Sequence, residues 1–258
     1  MRSIDLNCDV GESFGAWSMG DDFAVLAHVS SINIACGFHA GDPQTMRRTV
    51  AQAVKLGVAI GAHPGLPDKV GFGRRELAIS PADLYADTLY QIGALAAFVH
   101  AAGAQLRHVK AHGALYHMLE KQPALCDAFL AASKDFDPKI KVFGLSGGNL
   151  VRCAEKLGMA CAHEVFADRQ YESDRSLTPR HIEGAVHRSS DRQCQQLTQI
   201  LQFNQVRTRQ GQDIDIKADT VCLHGDSPNA AISAKALREA IEAAGFEIAA
   251  SHNELGKP

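Results

Sequence analysis

With 258 residues, 46% of them hydrophobic and 21% charged, the chain has an ordinary globular composition and the length of one β/α barrel or two small domains. A net charge of −3 gives no electrostatic case for nucleic acid or a membrane surface, and no apolar run approaches the roughly 20 residues of a spanning helix. The first strand begins directly after the N-terminus, which leaves no room for a signal peptide and makes the cytoplasm the expected compartment. The seven cysteines contain no Cys-x-x-Cys spacing, so burial is the expected state of all of them, including Cys8 and Cys36 beside the strand ends.

In chain order the short apolar runs are Ile4 to Cys8, Ser31 to Cys36, Val58 to Ala62, Leu106 to Ala111, Ile140 to Leu145, Met159 to Phe166 and Thr220 to Leu223. They are mostly unalternating, which predicts strands buried on both faces of a parallel sheet. Helical segments separate them. Asp42-Pro43 sets an N-cap and first-turn proline before Met46, Val50, Val54 and Leu56, and Gly57 stops that helix. Ser80-Pro81 opens a longer helix with Leu84, Leu89, Ile92, Leu95 and Val99 as its stripe and Gly103 at its end. Cys194, Leu197, Leu201 and Phe203 predict an amphipathic helix, and alternation around Gly211 predicts a small hairpin insertion near residues 206–217. Ser227-Pro228 starts the last helix, which runs through Ala236, Leu237, Ala240 and Ile241 to Gly245. Residues 1–258 read as one α/β domain, a distorted seven-stranded (β/α) barrel.

Each apolar run ends in a polar, turn-forming cluster, and four of the clusters carry a histidine: His39, His63, His112 and His224. In parallel β/α folds the C-terminal ends of the strands build the active site. Imidazoles, carboxylates and a lysine on one rim are the groups that proton transfer and oxyanion stabilisation need, so the pattern predicts an enzyme.

The blocks Leu6-Asn7-Cys8-Asp9-Val10-Gly11-Glu12-Ser13-Phe14-Gly15 and Asn33-Ile34-Ala35-Cys36-Gly37-Phe38-His39-Ala40-Gly41-Asp42-Pro43 resemble the opening of the LamB/YcsF family. Gly61 to Gly65, Gly71 to Arg75, Lys110 to Tyr116, Glu164 to Arg169 and His224-Gly225-Asp226 continue the resemblance in order, over nearly the whole chain. Departures are small: Ala111 stands where the family usually has proline, Val10 where leucine is common, and Ser173-Asp174-Arg175 where an Ala-Asp-Gly turn is frequent. The resemblance implies the seven-stranded barrel of the glycoside hydrolase/deacetylase superfamily. It also implies the A component of an ATP-dependent 5-oxoprolinase, which cleaves 5-oxo-L-proline (pyroglutamate) to L-glutamate together with 5-oxoprolinase subunits B and C.

The residues can be read against that chemistry. Asp9 is the first choice for a general base or for the group that orients a water, with Glu12 as a second carboxylate beside it; turn capping is the bland reading of the pair. His39 and His63 each end a run, and with Asp9 they can form an Asp/His/His site for a divalent metal, the triad of the superfamily's deacetylases. Hydrogen bonding to substrate explains the same histidines. Lys110 and His112 lie two apart and point to one side of a strand, where the lysine would meet a substrate anion or else snorkel outward. His224 and Asp226 pair as an oriented imidazole, or Asp226 caps the last helix. The chain has no Gly-x-x-x-x-Gly-Lys-Ser/Thr loop for ATP; the nearest substitute is the turn carrying Gly147, Gly148 and Asn149, whose N–H groups would hold phosphate or form an ordinary tight turn. Asp168-Arg169 supplies a candidate substrate clamp through Arg169, while Arg74 and Arg75 read as loop or subunit contacts and Asp42 as a helix cap. His117 and His181 read as ordinary helix or loop histidines. Two rival functions remain: a metal-dependent deacetylase acting on an N-acetyl sugar or related amide, and a non-enzymatic partner of the true catalyst.

Overall fold

The first strand is the hub of a closed barrel. In the computed structural model, which describes residues 2–224 and 230–251, β1 (Arg2–Val10) pairs in parallel with β2 (Ser31–Ala35) on one side. The sheet continues through β3 (Ala59–His63), β4 (Leu106–Lys110), β5 (Lys141–Leu145) and β6 (Cys161–Phe166). It then reaches β9 (Thr220–His224), which pairs back onto β1 and closes seven parallel strands into a ring. Closure leaves the ring of seven itself without a free edge, and parallel pairing puts all seven C-terminal ends on one rim.

The helices form where their caps predict. In α2 (Pro43–Leu56), Asp42 Oδ1 accepts from Thr45 N at 2.8 Å and Gly57 takes a left-handed φ of 69°. Asp42 Oδ2 also accepts from Gly15 N at 2.9 Å, which ties the loop after β1 to this helix. Ser80 caps α3 (Pro81–Ala101) in the same way, through Asp83 N at 3.1 Å; such caps contribute about 0.5–2 kcal/mol each. Leu84, Ile92, Leu95 and Val99 are buried along α3, whereas Leu89 is only half-buried. Two helices follow β4, namely α4 (Gly113–Lys121) and α5 (Pro123–Phe136), and α6 (Asn149–Lys156) follows β5.

In α7 (Ser190–Phe203) the core face is made by Leu197, Ile200 and Leu201; Phe203, expected on that face, is 65% exposed because the helix stops there and Asn204 turns left-handed. The strands β7 (Gln205–Arg207) and β8 (Asp213–Asp215) form an antiparallel hairpin. The last helix, α8 (Ala230–Ala243), buries Ala234, Leu237 and Ile241; its expected start at Ser227-Pro228 lies outside the described residues. A short strand that the apolar runs do not announce, β10 (Phe246–Ile248), adds in parallel to the start of β1, which is long enough to carry it. All seven cysteines are free thiols; Cys8, Cys36, Cys126 and Cys222 are buried, but Cys153, Cys161 and Cys194 are only partly so, which corrects the expectation of burial throughout.

The strands are buried on both faces as expected, but not all of them are unalternating apolar runs. In β1 Asp5, Asn7 and Asp9 share one face, and Leu6, Cys8 and Val10 the other. The polar face points inward, because Asn7 donates to Glu164 Oε1 of β6 at 3.1 Å, and β6 is not a neighbour of β1. A buried polar layer therefore fills the barrel while the apolar faces pack against the helices. Each polar group there must be paired to be tolerated, and Asn7, Asn33, His108, Glu164 and Thr220 bond to one another or to the ends of the strands. Gly61 belongs to this layer: a Cβ at that position would overlap the His108 ring, and the register of β3 on β4 shifts beside it.

Candidate active site

The top of the polar layer is the floor of a cavity of about 550 Å³, reached between the loops after β3, β4 and β6. Asp9, His63, Lys110 and His112 line that floor. Lys110 ends β4 and crosses the barrel, placing Nζ 2.9 Å from Asp9 Oδ1, 2.9 Å from Glu164 Oε1 and 3.0 Å from Cys222 Sγ. Burial opposes its charge, yet Asp9 and Glu164 outweigh it and raise the lysine well above its ordinary range. Asn33 Nδ2 donates to the same Asp9 oxygen at 2.8 Å. The orientation of that amide is set from below, where His108 Nε2 lies 2.7 Å from Asn33 Oδ1. Burial holds His108 down to about 3, so the ring is neutral and donates there. The second Asp9 oxygen, Oδ2, lies 3.3 Å from His63 Nε2.

The imidazoles are fixed by main-chain carbonyls. His63 Nδ1 lies 2.8 Å from Lys110 O, and His112 Nε2 lies 2.8 Å from Phe72 O. A carbonyl only accepts, so each ring carries its proton on that nitrogen. The other two nitrogens, His63 Nε2 and His112 Nδ1, face each other at 3.0 Å, with the rings at 87°. Glu12 Oε1 lies 3.7 Å from His112 Nδ1 and 3.7 Å from His39 Nε2. His39 stacks on His112 with centroids 3.6 Å apart and planes 3° apart, and among the described residues neither of its ring nitrogens makes a hydrogen bond. Burial pushes His39 and His112 well below the ordinary histidine range, and the neighbouring imidazoles add to the effect. Gly73, at φ 62°, lets the loop of Gly71 to Arg75 close over both rings. Among the described residues, Glu12, His39, His63 and His112 each bring one ligand-type atom within 4.8 Å of the others. Clustered imidazole nitrogens beside a carboxylate are a donor set that fits a divalent cation.

This arrangement revises several expectations. The cluster keeps His39 and His63 but replaces Asp9 by Glu12 and His112, since one Asp9 oxygen is held by Lys110 and Asn33. His39 does not end a strand; it lies in the bend after β2. Gly147, Gly148 and Asn149 do not line the cavity, and their helix end is filled by the protein's own carboxylate: Glu120 accepts from Asn149 N and, at 3.3 Å, from Leu150 N. Asp168 is buried off the cavity, its carbonyl accepting from His187 N at 2.7 Å. Arg169 does line the cavity and donates to Thr178 O at 2.7 Å. Burial, then the nearby Arg180, lowers it to about 10. Arg74, Lys121, Arg180, His117 and His181, given no catalytic weight from sequence, line the mouth with it. His117 is held down to about 4 by burial and by Arg169, Lys121 and Arg180. His224 ends β9 in register with Asp9, and Asp226 lies outside the described residues. The polar layer under the floor is a further departure from the expected apolar strands, although the alternation Asp5-x-Asn7-x-Asp9 signals it.

The family model of the LamB/YcsF family matches residues 4–256. The chain belongs to the LamB/YcsF family. The A component of 5-oxoprolinase from Geobacillus kaustophilus (strain HTA426) is 52% identical over 254 residues, covering 98% of this chain and 99% of that protein. Its counterpart of the same name from Bacillus subtilis (strain 168) is 50% identical over 250 residues, covering 97% of each. The crystal structure of a lactam utilization protein from Thermus thermophilus superposes with a TM-score of 0.91 at 43% identity, covering 96% of this chain and 99% of that one. The LamB/YcsF barrel is thus shared along its length, with the clustered residues inside the matched span. No helix among the described residues is long and apolar enough to cross a membrane.

Proposed function

We propose that this LamB/YcsF chain is the lactam-cleaving A component of an ATP-dependent 5-oxoprolinase. It opens 5-oxo-L-proline to L-glutamate in the cytoplasm together with subunits B and C, with residues 1–258 acting as one domain. The observation that carries this reading is the cavity: a floor of Asp9 and Lys110 under a mouth of Arg74, Lys121, Arg169 and Arg180. The names of the full-length relatives support it.

An unstrained five-membered amide is a poor electrophile, and phosphorylating its oxygen makes the carbon reactive. That is the chemical role of ATP as co-substrate. Nucleotide handling falls to the partners, in keeping with the missing phosphate loop and the occupied turn at Gly147 to Asn149. The cationic mouth suits a small molecule carrying a carboxylate and a phosphoryl group. Asp9 Oδ2 takes the proton of the attacking water, with Oδ1 held in place by Lys110 and Asn33. Lys110 keeps a positive charge beside the oxygen on which negative charge develops. One water opens the C–N bond and a second releases phosphate, giving glutamate. A divalent ion at the neighbouring imidazoles would add polarisation of the carbonyl.

The test is glutamate release from 5-oxoproline and ATP, with the chain alone and mixed with subunits B and C. Glutamate is expected only from the mixture, and Asp9→Asn is expected to slow it by about 10²–10⁴-fold. A verified mixture that makes no glutamate would overturn the activity. Full turnover by the chain alone would overturn the division of labour.

A further inference from the structure

His63 Nε2 and His112 Nδ1 lie 3.0 Å apart in a buried site, and with His39 and Glu12 they place four ligand-type atoms within 4.8 Å of one another. The protons of His63 and His112 are spent on Lys110 O and Phe72 O, and this is how metal-binding imidazoles are held by their surroundings: the non-ligating N–H donates to a carbonyl or carboxylate. Two nitrogens at about 2.05 Å from one ion lie about 3.3 Å apart at the tetrahedral angle, within a few tenths of the observed spacing. The two ring planes are nearly perpendicular, and Glu12 Oε1 stands 3.7 Å from His112 Nδ1.

His39 belongs to the cluster but not to this geometry. A ligand's lone pair lies in its ring plane, and the His39 ring is stacked on that of His112, with planes 3° apart and centroids 3.6 Å apart. An ion in the plane of His112 is therefore well out of the plane of His39. His39 is the wall that fixes the His112 ring. Asp9 is also outside the ligand set: Lys110 and Asn33 hold Oδ1, and Asp9 is not among the four residues whose ligand-type atoms all lie within 4.8 Å of one another. His63 and His112 both border the cavity, so a fourth position faces the space where substrate would sit.

We infer that Glu12, His63 and His112 bind one divalent ion of the zinc class, with His39 as a stacked support and an open position toward the cavity. Two imidazoles and a carboxylate with an open position suit zinc, cobalt or a similar first-row ion. The site stands whether or not the lactam reading holds, because binding is measured without substrate or partner subunits.

The experiment strips the purified chain with a chelator, titrates Co²⁺ or Zn²⁺ calorimetrically, and records the visible spectrum of the Co²⁺ form. One ion per chain is expected. Glu12→Gln and His112→Asn should each weaken binding by more than about 100-fold, beyond the roughly 10–100-fold of a change outside the ligand shell. His39→Phe, which keeps a stacking ring, should retain one ion per chain and the Co²⁺ spectrum. Far-UV circular dichroism of each variant separates lost binding from lost folding. No ion in the folded wild type would overturn the proposal and leave a proton shared between His63 and His112. A folded His39→Phe that binds as poorly as His112→Asn would overturn the ligand assignment.

Discussion

The turns after β4 and β5 are built alike and serve opposite ends. Each brings a strand end, a glycine and a helix start together within a few residues. After β4, His112 occupies the N-cap of α4 but makes no side-chain bond to that helix, and its ring reaches His63 and Phe72 O instead. After β5, Gly148 occupies the N-cap of α6, and Glu120 from the last turn of α4 closes the helix end with its carboxylate. One helix thus begins at the site and ends by sealing the other turn. A polar strand end becomes a site only where the fold leaves its atoms converging on open space.

Four substitutions would break or sharpen that contrast. The largest effect is expected below the first turn: Lys110→Met leaves Asp9 and Glu164 buried without their cation and should cost about 3–5 kcal/mol of unfolding free energy, read by urea denaturation. A cost under about 1 kcal/mol would mean the two carboxylates are neutral without it.

His108 should govern part of the acid limb. Its native pKa is depressed to about 3 while the unfolded chain titrates near 6.5, so the unfolded state takes up the proton first as pH falls. Its contribution is complete above about pH 6.5 and is lost toward about pH 3, at about 1.4 kcal/mol per pH unit. His108→Gln keeps a donor for Asn33 and should flatten the fall in stability below about pH 6; identical slopes would show that His108 is protonated in the folded state.

At the second turn, Glu120→Ala removes a cap and should cost about 0.5–2 kcal/mol while glutamate release by the reconstituted complex stays unchanged. A loss of activity in the folded variant would return Gly147 to Asn149 to the phosphate-handling machinery.

The smallest change lies at Arg175, which sits at φ 72°, a left-handed backbone that favours glycine. Arg175→Gly should raise stability by roughly 0.5–1 kcal/mol, the left-handed penalty less glycine's entropy, visible as a higher melting temperature.

Much of the barrel is legible in the sequence because its signals are local. Asp42-Pro43 and Ser80-Pro81 cap helices through atoms three residues away, and the strand runs announce themselves by length and composition. Phe203 falls off the expected face because the period of a helix does not say where the helix stops. The inward face of β1 escapes a reading of short runs by apolar content alone, since the signal lies in the alternation of Asp5, Asn7 and Asp9.

The chain's own sequence determined the strand order along the polypeptide, the capped helices, and which ionisable groups stand at strand ends. Tertiary structure decided which of those groups meet. Lys110 reaches Asp9 across 101 residues and Cys222 across 112, and Asn7 reaches Thr220 across 213. Such pairings depend on the closing of the ring, since a hydrogen bond needs its partners within about 3 Å and local periodicity fixes only direction. The same closure brought Glu12 and His112 to His63, and spent the N–H groups of Asn149 and Leu150 on Glu120.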